Sequence, residues 1–388
     1  MSSPTRQGDE VEPQPSDGSS EKWLGSAGGK SDSKCRTGVD AMLLWLRSNG
    51  GEFDDLKVIN GDAGSGRIVV ARNTLHDGQR ILSVPLKCLI TKSIAKTSLL
   101  ANMIKKTRCK IRSDHTWFAV FLMEHKRMGQ KSKFAKYIDA LPQAFDYMPL
   151  NFTPKSGYLQ QLRGSIAIDR IKAMRKDLNV EYQQLCNHVS EIFEMYTFDD
   201  FVWARLCVLT RLFNFEIRGK ETDGLVPFAD MLNHANKPQV SWHYDDKSSC
   251  FVMTAETQVS ALSQLFDSYG RKSQSRFFVN YGFTVDRNHR DNEACIRVEL
   301  QDSDPDSRAK IPLLGRGGGS KDKVKKFIIS CSFSDKGFQR LISFCRFINA
   351  PYDMIAKSSS SKNIKAEDVR KLKENRSEGV GLKYCSTL

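Results

Sequence analysis

A chain of 388 residues, 40% hydrophobic and 27% charged, has room for two domains, or for one domain with insertions, in an ordinary soluble globular balance. No apolar run approaches the ~18 residues that crossing a bilayer demands, no secretory signal opens the polar amino terminus, and ten cysteines without one Cys-x-x-Cys speak against a structural zinc module and for a reducing compartment, cytosol or nucleus. A net charge of +14 could draw nucleic acid or an acidic protein, yet the basic residues are spread, as in Lys105, Lys106, Arg108, Lys110 and Arg112, in the manner of solvated helix faces.

Residues 1–37 are rich in Ser, Gly, Pro, Asp and Lys and poor in aliphatics, so they cannot bury enough surface to offset chain entropy and are expected to be a disordered tail. Order is expected from "GVDAMLLWLRSNGGEF", a short amphipathic helix ending at Gly50-Gly51. Two β-branched runs follow, Ile68 to Val70 and Ile81 to Val84, flanking the turn "HDGQ". From residue 92 to about 215 the period changes. The segments "WFAVFLMEHKRM", "GSIAIDRIKAMRKDLNVEYQQLCNHVSEIFEMY" and "FDDFVWARLCVLTRLF" place apolar residues three and four apart, as helices do, and Thr197 with Asp200 offers a capping box. Strand character returns in "VSWHYDD", "CFVMTAE", "QLFDSYG" and "CIRVEL". A linker with three consecutive glycines then leads to "FIISCSFSDKGFQRLISFCRFINAPYD", read as one strand and one helix.

Three segments carry candidate chemistry. Gly64-Ser65-Gly66 precedes a strand rather than a helix, so it is no dinucleotide fingerprint and could be a tight turn. In "DGLVPFADMLNHANKP", Asp230, Asn233 and His234 interrupt an apolar run, where they could simply satisfy neighbouring backbone groups. Tyr269-Gly270, in "FDSYGRKSQSRFFVNYGF", could close a strand on a core tyrosine.

In this order the segments resemble the SET-domain methyltransferases, in the branch typified by the plant Rubisco large-subunit lysine methyltransferase. "ADMLNHA" resembles that branch's Asp-x-x-Asn-His signature, "FDSYG…RFFVNYGF" its Tyr-Gly segment, and "GSGRIVVARNTLHDGQRILSVP" its opening strands. The resemblance implies an α+β fold: a SET-domain β-fold with a pseudoknot, interrupted by a helical insert, plus a short helical C-terminal substrate-binding region. The expected division is a tail at 1–37, the first SET part at 38–91, the insert at 92–215, and the second SET part at 216–300. A linker at 301–325 and the shortened C-terminal region at 326–388 complete it. Where the family's turn before the Tyr-Gly segment carries glycine, this chain has Leu262, and where it carries an acid at the Gly-x-Gly entrance, this chain has Ala63.

The implied activity is transfer of a methyl group from S-adenosylmethionine to a lysine amine of a protein, histone or non-histone, without a metal. The resemblance places the donor against Ala63, Gly64, Ser65, Gly66, Arg211, Asn233 and His234, with Tyr269 both at the donor and central to transfer. It places the acceptor against Arg211, Phe213, Asp230 and Tyr281, with Phe213 and Tyr281 expected to line one aromatic channel; the plainer alternative for Phe213 is core packing. The rival readings are a protein-histidine methyltransferase and an inactive SET scaffold binding partners through its basic surface. Nucleic acid has only net charge in its favour, no membrane partner is expected, and the oligomeric state stays open.

Overall fold

The computed structural model describes residues 32–61, 66–286, 291–314, 322–330 and 336–351. Helix α1 (Asp32–Ser48) buries Val39, Met42 and Leu46, a stripe spaced by three and four residues that lies against the later helix α5. Its last helical residue is Ser48, and the glycine pair caps it: Gly50 turns left-handed at φ 85° and the Gly51 amide donates back to the Leu46 carbonyl. Strands β1 (Leu56–Asn60) and β2 (Arg67–Ala71) form an antiparallel hairpin in the register Leu56 to Ala71, and β3 (Arg80–Pro85) and β4 (Ile90–Thr91) follow.

Eight α-helices follow, with three short 3-10 turns among them: α2 (Lys92–Ala95), α3 (Leu99–Lys106), α4 (Asp114–Met128), α5 (Ala135–Ala140), α6 (Tyr158–Gln161), α7 (Ile166–His188), α8 (Ser190–Met195) and α9 (Phe198–Arg211). Helix α4 is buried from Phe118 through Met123, on successive faces, so it runs through the core with α9 beside it. The expected single helix over 164–196 is instead two, because Val189 takes extended angles (φ −136°, ψ 100°) between α7 and α8. Helix α9 begins on the expected capping box: the Asp200 amide donates to Thr197 Oγ1 at 3.1 Å and the Thr197 amide to Asp200 Oδ2 at 2.9 Å.

Strands resume with β5 (Leu212–Ile217), β6 (Lys220–Leu225), β7 (Asn233–His234), β8 (Val240–Asp245), β9 (Cys250–Ala255) and β10 (Phe266–Asp267). One three-stranded antiparallel sheet has the order β3-β9-β8 and another the order β4-β6-β5, with a continuous apolar core against the helices. The charged sequence of β6, "KETDGL", carries no strand signal; it is a strand because both neighbours pair with it. Strands β7 and β10 lie parallel, Asn233 against Phe266 and His234 against Asp267, although β8 and β9 intervene in sequence. Such a pairing of non-consecutive segments is what the SET pseudoknot requires. In the turn before β10, Leu262 adopts φ 65°, so a branched side chain occupies the left-handed conformation that glycine would take without strain.

Residues 274–281, within the segment that carries the Tyr-Gly pair, form a helix, α10 (Gln274–Tyr281). Beyond it, β11 (Glu293–Glu299) pairs antiparallel with β12 (Val324–Ser330), separated by α11 (Ser307–Lys310), and α12 (Lys336–Ile348) packs on β12. Strand β12 starts at Val324, just ahead of the end expected for the linker.

Candidate active site

The site is assembled where α9 ends, where β7 meets β10, and where α10 covers both. Arg211 is the last residue of α9, where its cation also suits the negative end of the helix dipole. Its Nη1 donates to the Asp230 backbone carbonyl at 2.7 Å and stands 3.4 Å from Asp230 Oδ2. Asp230 is presented by a one-turn 3-10 segment, Ala229–Met231, which begins after Phe228 at φ 73°, ψ −48°. Holding a fully buried phenylalanine in that region stores on the order of 1–3 kcal/mol, and the turn it makes directs the chain from β6 towards β7.

A third group completes the ion pair. Tyr137, fully buried on α5, donates its hydroxyl to Asp230 Oδ2 at 2.8 Å across 93 residues of sequence. Burial pushes the Asp230 carboxyl up, against the opposing pull of Arg211 and the Tyr137 hydroxyl. Burial alone would lower the Arg211 pKa, but the Asp230 carboxylate outweighs it and the guanidinium stays cationic. Burial and the Asp230 charge raise the Tyr137 phenol well above its usual value. Asp230 Oδ1 and Arg211 Nε remain buried without hydrogen-bond partners among the described residues.

His234 and Tyr269 are joined at the β7–β10 crossing. The Tyr269 amide donates to His234 Nδ1 at 3.0 Å, and the Tyr269 hydroxyl donates to the Leu232 carbonyl at 2.8 Å. Because Nδ1 accepts, the neutral imidazole carries its proton on Nε2, a buried atom without a partner among the described residues. Burial, then the Lys272 ammonium, depress the His234 pKa to about 4, with Asn236 and the Asp267 backbone opposing. Burial raises the Tyr269 phenol far above its ordinary value, so near neutral pH it is a protonated hydroxyl and not a phenolate base. Asn233, half-buried, makes no side-chain hydrogen bond to the described residues.

Aromatic rings close around this pair. Tyr281 lies 4.9 Å from the Tyr269 ring, Phe277 stacks on His234 at 4.7 Å, and Phe283 lies 5.5 Å from Phe277 and 6.2 Å from Tyr269. The Lys272 ammonium donates to the Tyr269 carbonyl and stands 5.7 Å from the Tyr281 ring centre. Gly282 ends α10 at φ 82°, and a Cβ there would come within 2.6 Å of the Tyr147 ring, so both the backbone turn and the close approach require glycine.

Phe213 is brought to a different group of rings. It is 8% exposed in β5 and meets Trp242 and Phe251 edge-on, each at 5.4 Å, with no ring contact to Tyr281 among the described residues. The expected pairing of Phe213 with Tyr281 in one channel is therefore not a direct contact; Tyr281 instead faces Tyr269. Ala63, Gly64 and Ser65 lie outside the described residues; Gly66, at φ 61°, accepts from the Gly61 amide through its carbonyl at 2.7 Å. Tyr137, Lys272, Phe277 and Phe283 were not singled out from the sequence. Phe277 and Tyr281 stand four apart between Ser273 and Gly282, a helix signal that would have placed both on one face of α10.

The SET-domain family profile matches residues 66–270. SET domain-containing protein 4 of Mus musculus is 25% identical over 366 residues, covering 89% of this chain and 80% of that protein. Ribosomal lysine N-methyltransferase set10 of Schizosaccharomyces pombe is 28% identical over 64% of this chain, and actin-histidine N-methyltransferase of Gallus gallus 26% identical over 71%. The chain spans about half the length of these last two, 45% and 47%. Among solved structures, the SET domain of Rubisco LSMT bound to lysine and AdoHcy superposes with a TM-score of 0.64 at 20% identity, covering 84% of this chain and 74% of that one. With a profile that spans more than half of its length and the strand crossing that the fold demands, the chain belongs to the SET-domain family.

Proposed function

We propose that this chain is an S-adenosylmethionine-dependent protein-lysine N-methyltransferase. The observation that carries the reading is Tyr269: a half-buried, protonated hydroxyl held at the Leu232 carbonyl, beside His234 and faced by Tyr281. S-adenosylmethionine, when bound, supplies a methyl group on a positively charged sulfur that an amine can attack in line. The chain fits such a donor through polar atoms it leaves buried and unsatisfied, Arg211 Nε, Asp230 Oδ1 and His234 Nε2, beside the half-buried Asn233 amide. Asn233 would hold the methionyl end and the His234 backbone the adenine edge.

The acceptor must arrive neutral, and a free lysine at pKa ~10.4 is neutral in about one molecule in 2,500 at pH 7. A wall of Tyr281, Phe283 and Phe277 removes water from the amine and so favours its neutral form. Tyr269, fixed at both its amide and its hydroxyl, orients the reacting groups, and fixed orientation removes much of the entropic barrier. Its raised pKa excludes it as the base near neutral pH.

Lysine is favoured over histidine because the aromatic wall of Tyr281, Phe283 and Phe277 beside Tyr269 suits the methylenes of a lysine and its methylated cation. The relatives' names include both chemistries, on ribosomal and actin substrates, which supports a protein acceptor. Incubation with labelled donor and a cell lysate, followed by mass-spectrometric mapping, tests the choice. Modified lysines are expected; exclusive modification of histidine would overturn it. Calorimetry with the donor separates an enzyme from a scaffold. Asn233→Ala should weaken donor binding by roughly ten- to over a hundredfold, the ~1.5–3 kcal/mol of a hydrogen bond to a charged group; unchanged affinity in a folded variant removes Asn233 from the donor site.

A further inference from the structure

Helix α10 is a wall with two faces. Phe277 and Tyr281, four residues apart, turn to His234 and Tyr269, while Phe278 and Val279 pack with Ala167 and Ile171 of α7. Its start is not held by its own cap: Ser273, the N-cap residue, makes no side-chain capping bond, and the Gln274 amide donates instead to Asn292 Oδ1 at 3.1 Å. Glu293, the first residue of β11, takes the serine hydroxyls. Its Oε1 accepts from Ser273 Oγ at 2.7 Å and from Ser275 Oγ at 2.8 Å, and the Arg170 guanidinium of α7 pairs with the same oxygen. The neighbouring Asp169 clamps the same hairpin, pairing with Lys326 of β12 at 2.9 Å and standing 3.6 Å from Arg297 of β11. The helical insert, the aromatic wall and the β11–β12 hairpin therefore meet on one carboxylate, whose side chain is 11% exposed. One cation, two hydroxyls and the positive end of α10 compensate that carboxylate for the water it has lost.

We propose, resting on the methyltransferase reading in which Phe277 and Tyr281 wall the acceptor, that Glu293 is a positioning residue of the active centre, acting through Ser273 and Ser275 on where α10 holds those rings. Two charge-assisted hydrogen bonds at one end of an eight-residue helix restrain both its rotation and its height. A displacement at Ser273 is carried along the helix to Tyr281, which faces Tyr269. A misplacement of about 1 Å costs about a hundredfold in a reaction that depends on alignment. Glu293 acts through the helix and not on the reacting groups.

Two measurements on the full chain test it. The first is the fluorine resonance of Tyr281 in protein labelled with fluorotyrosine, assigned by its loss in Tyr281→Phe, which reports the ring's surroundings whether or not a methyl group is transferred. Glu293→Ala should shift that resonance, and Glu293→Gln, whose amide oxygen still accepts from the serines, should leave it near its wild-type place. The second is methyl incorporation into cell-lysate protein at saturating labelled donor, well below the melting temperature of each variant, where lost stability alone leaves the rate unchanged. There Glu293→Ala should lower the rate by about one to two orders of magnitude, with S-adenosylmethionine affinity within a few-fold of wild type, and Glu293→Gln should recover most of it. An unmoved Tyr281 resonance in Glu293→Ala overturns the proposal, as does an unchanged rate, or a Glu293→Gln variant as impaired as Glu293→Ala. A wild-type chain that methylates nothing would refute the methyltransferase reading instead, and the resonance alone would then decide whether Glu293 sets the place of Tyr281. Should Glu293→Ala not fold, Ser275→Ala, which removes one of the two hydroxyls, is read by the same measurements and overturns the proposal if neither moves.

Discussion

Tyr137→Phe isolates one hydrogen bond whose surroundings are fully specified. The substitution keeps the ring and removes the hydroxyl that donates to Asp230 Oδ2 at 2.8 Å. Both side chains are withdrawn from water, so no solvent molecule can take over at no cost. Arg211 does not compensate: its Nη1 is committed to the Asp230 backbone carbonyl at 2.7 Å and reaches Oδ2 only at 3.4 Å. A hydrogen bond to a charged acceptor contributes ~1.5–3 kcal/mol, and the hole left by one oxygen adds little. At about 2–4 °C per kcal/mol for a large domain, the melting temperature should fall by roughly 3–12 °C. Urea denaturation followed by tryptophan fluorescence measures the loss, with an unchanged slope showing that the denatured state is the same. On an Asp230→Asn background the acceptor is neutral, and the effect of Tyr137→Phe should shrink to about 1 kcal/mol. A loss below about 0.5 kcal/mol in the wild-type background, the range of ordinary surface changes, would refute the reasoning.

Tyr269→Phe should leave donor affinity within a few-fold of wild type while turnover falls by about two orders of magnitude, as when one oriented hydrogen-bonding group is lost from a reacting centre; near wild-type turnover in single-turnover kinetics would return Tyr269 to a purely packing role. Leu262→Asn should stabilise the protein by ~0.5–1 kcal/mol, because Leu262 is 79% exposed and its left-handed backbone costs about 1–2 kcal/mol that asparagine largely escapes; Leu262→Val should destabilise it, and the opposite order in urea melts would contradict the strain. Burial lifts the Asp267 carboxyl to about 6, above its unfolded value. Wild-type stability from this group is therefore fully present below about pH 4 and is lost as pH rises through 6, whereas Asp267→Asn lacks that loss. The variant should gain relative to wild type between pH 4 and 7, and parallel pH profiles would count against a raised pKa.

Much of the site was legible because its chemistry is written in short, contiguous segments. Asn233 and His234 stood out as polar groups inside an apolar run and Tyr269 as half of a Tyr-Gly pair, and the structure joins His234 to Tyr269 directly. The Thr197–Asp200 capping box was legible for the same reason: its two halves are three residues apart. Tyr137 was not, since no periodicity links a tyrosine on one helix to an aspartate 93 residues away. Helix α10 is only eight residues long, so its Ser273 and Gly282 boundaries mark it more than any apolar period does. Strand β6 is charged along most of its length, and its conformation comes from the partners on either side. The substitution of leucine for the family's turn glycine was visible in sequence, but its meaning, a positive φ on a branched residue, needed the backbone.

The parallel contact between β7 and β10 involves only two residues from each strand, too little to persist alone. Its partners across the site are separated by 35 residues from His234 to Tyr269 and by 93 from Tyr137 to Asp230. Each closure costs chain entropy before any contact rewards it, so the active centre belongs among the last parts of the molecule to assemble. A nascent chain halted before residue 269 could already hold α4 against α9 and Tyr137 against Asp230, and still lack Tyr269 and the rings of α10. Donor binding during synthesis would then report the arrival of a single segment, the one that begins at Phe266, rather than the gradual growth of the core.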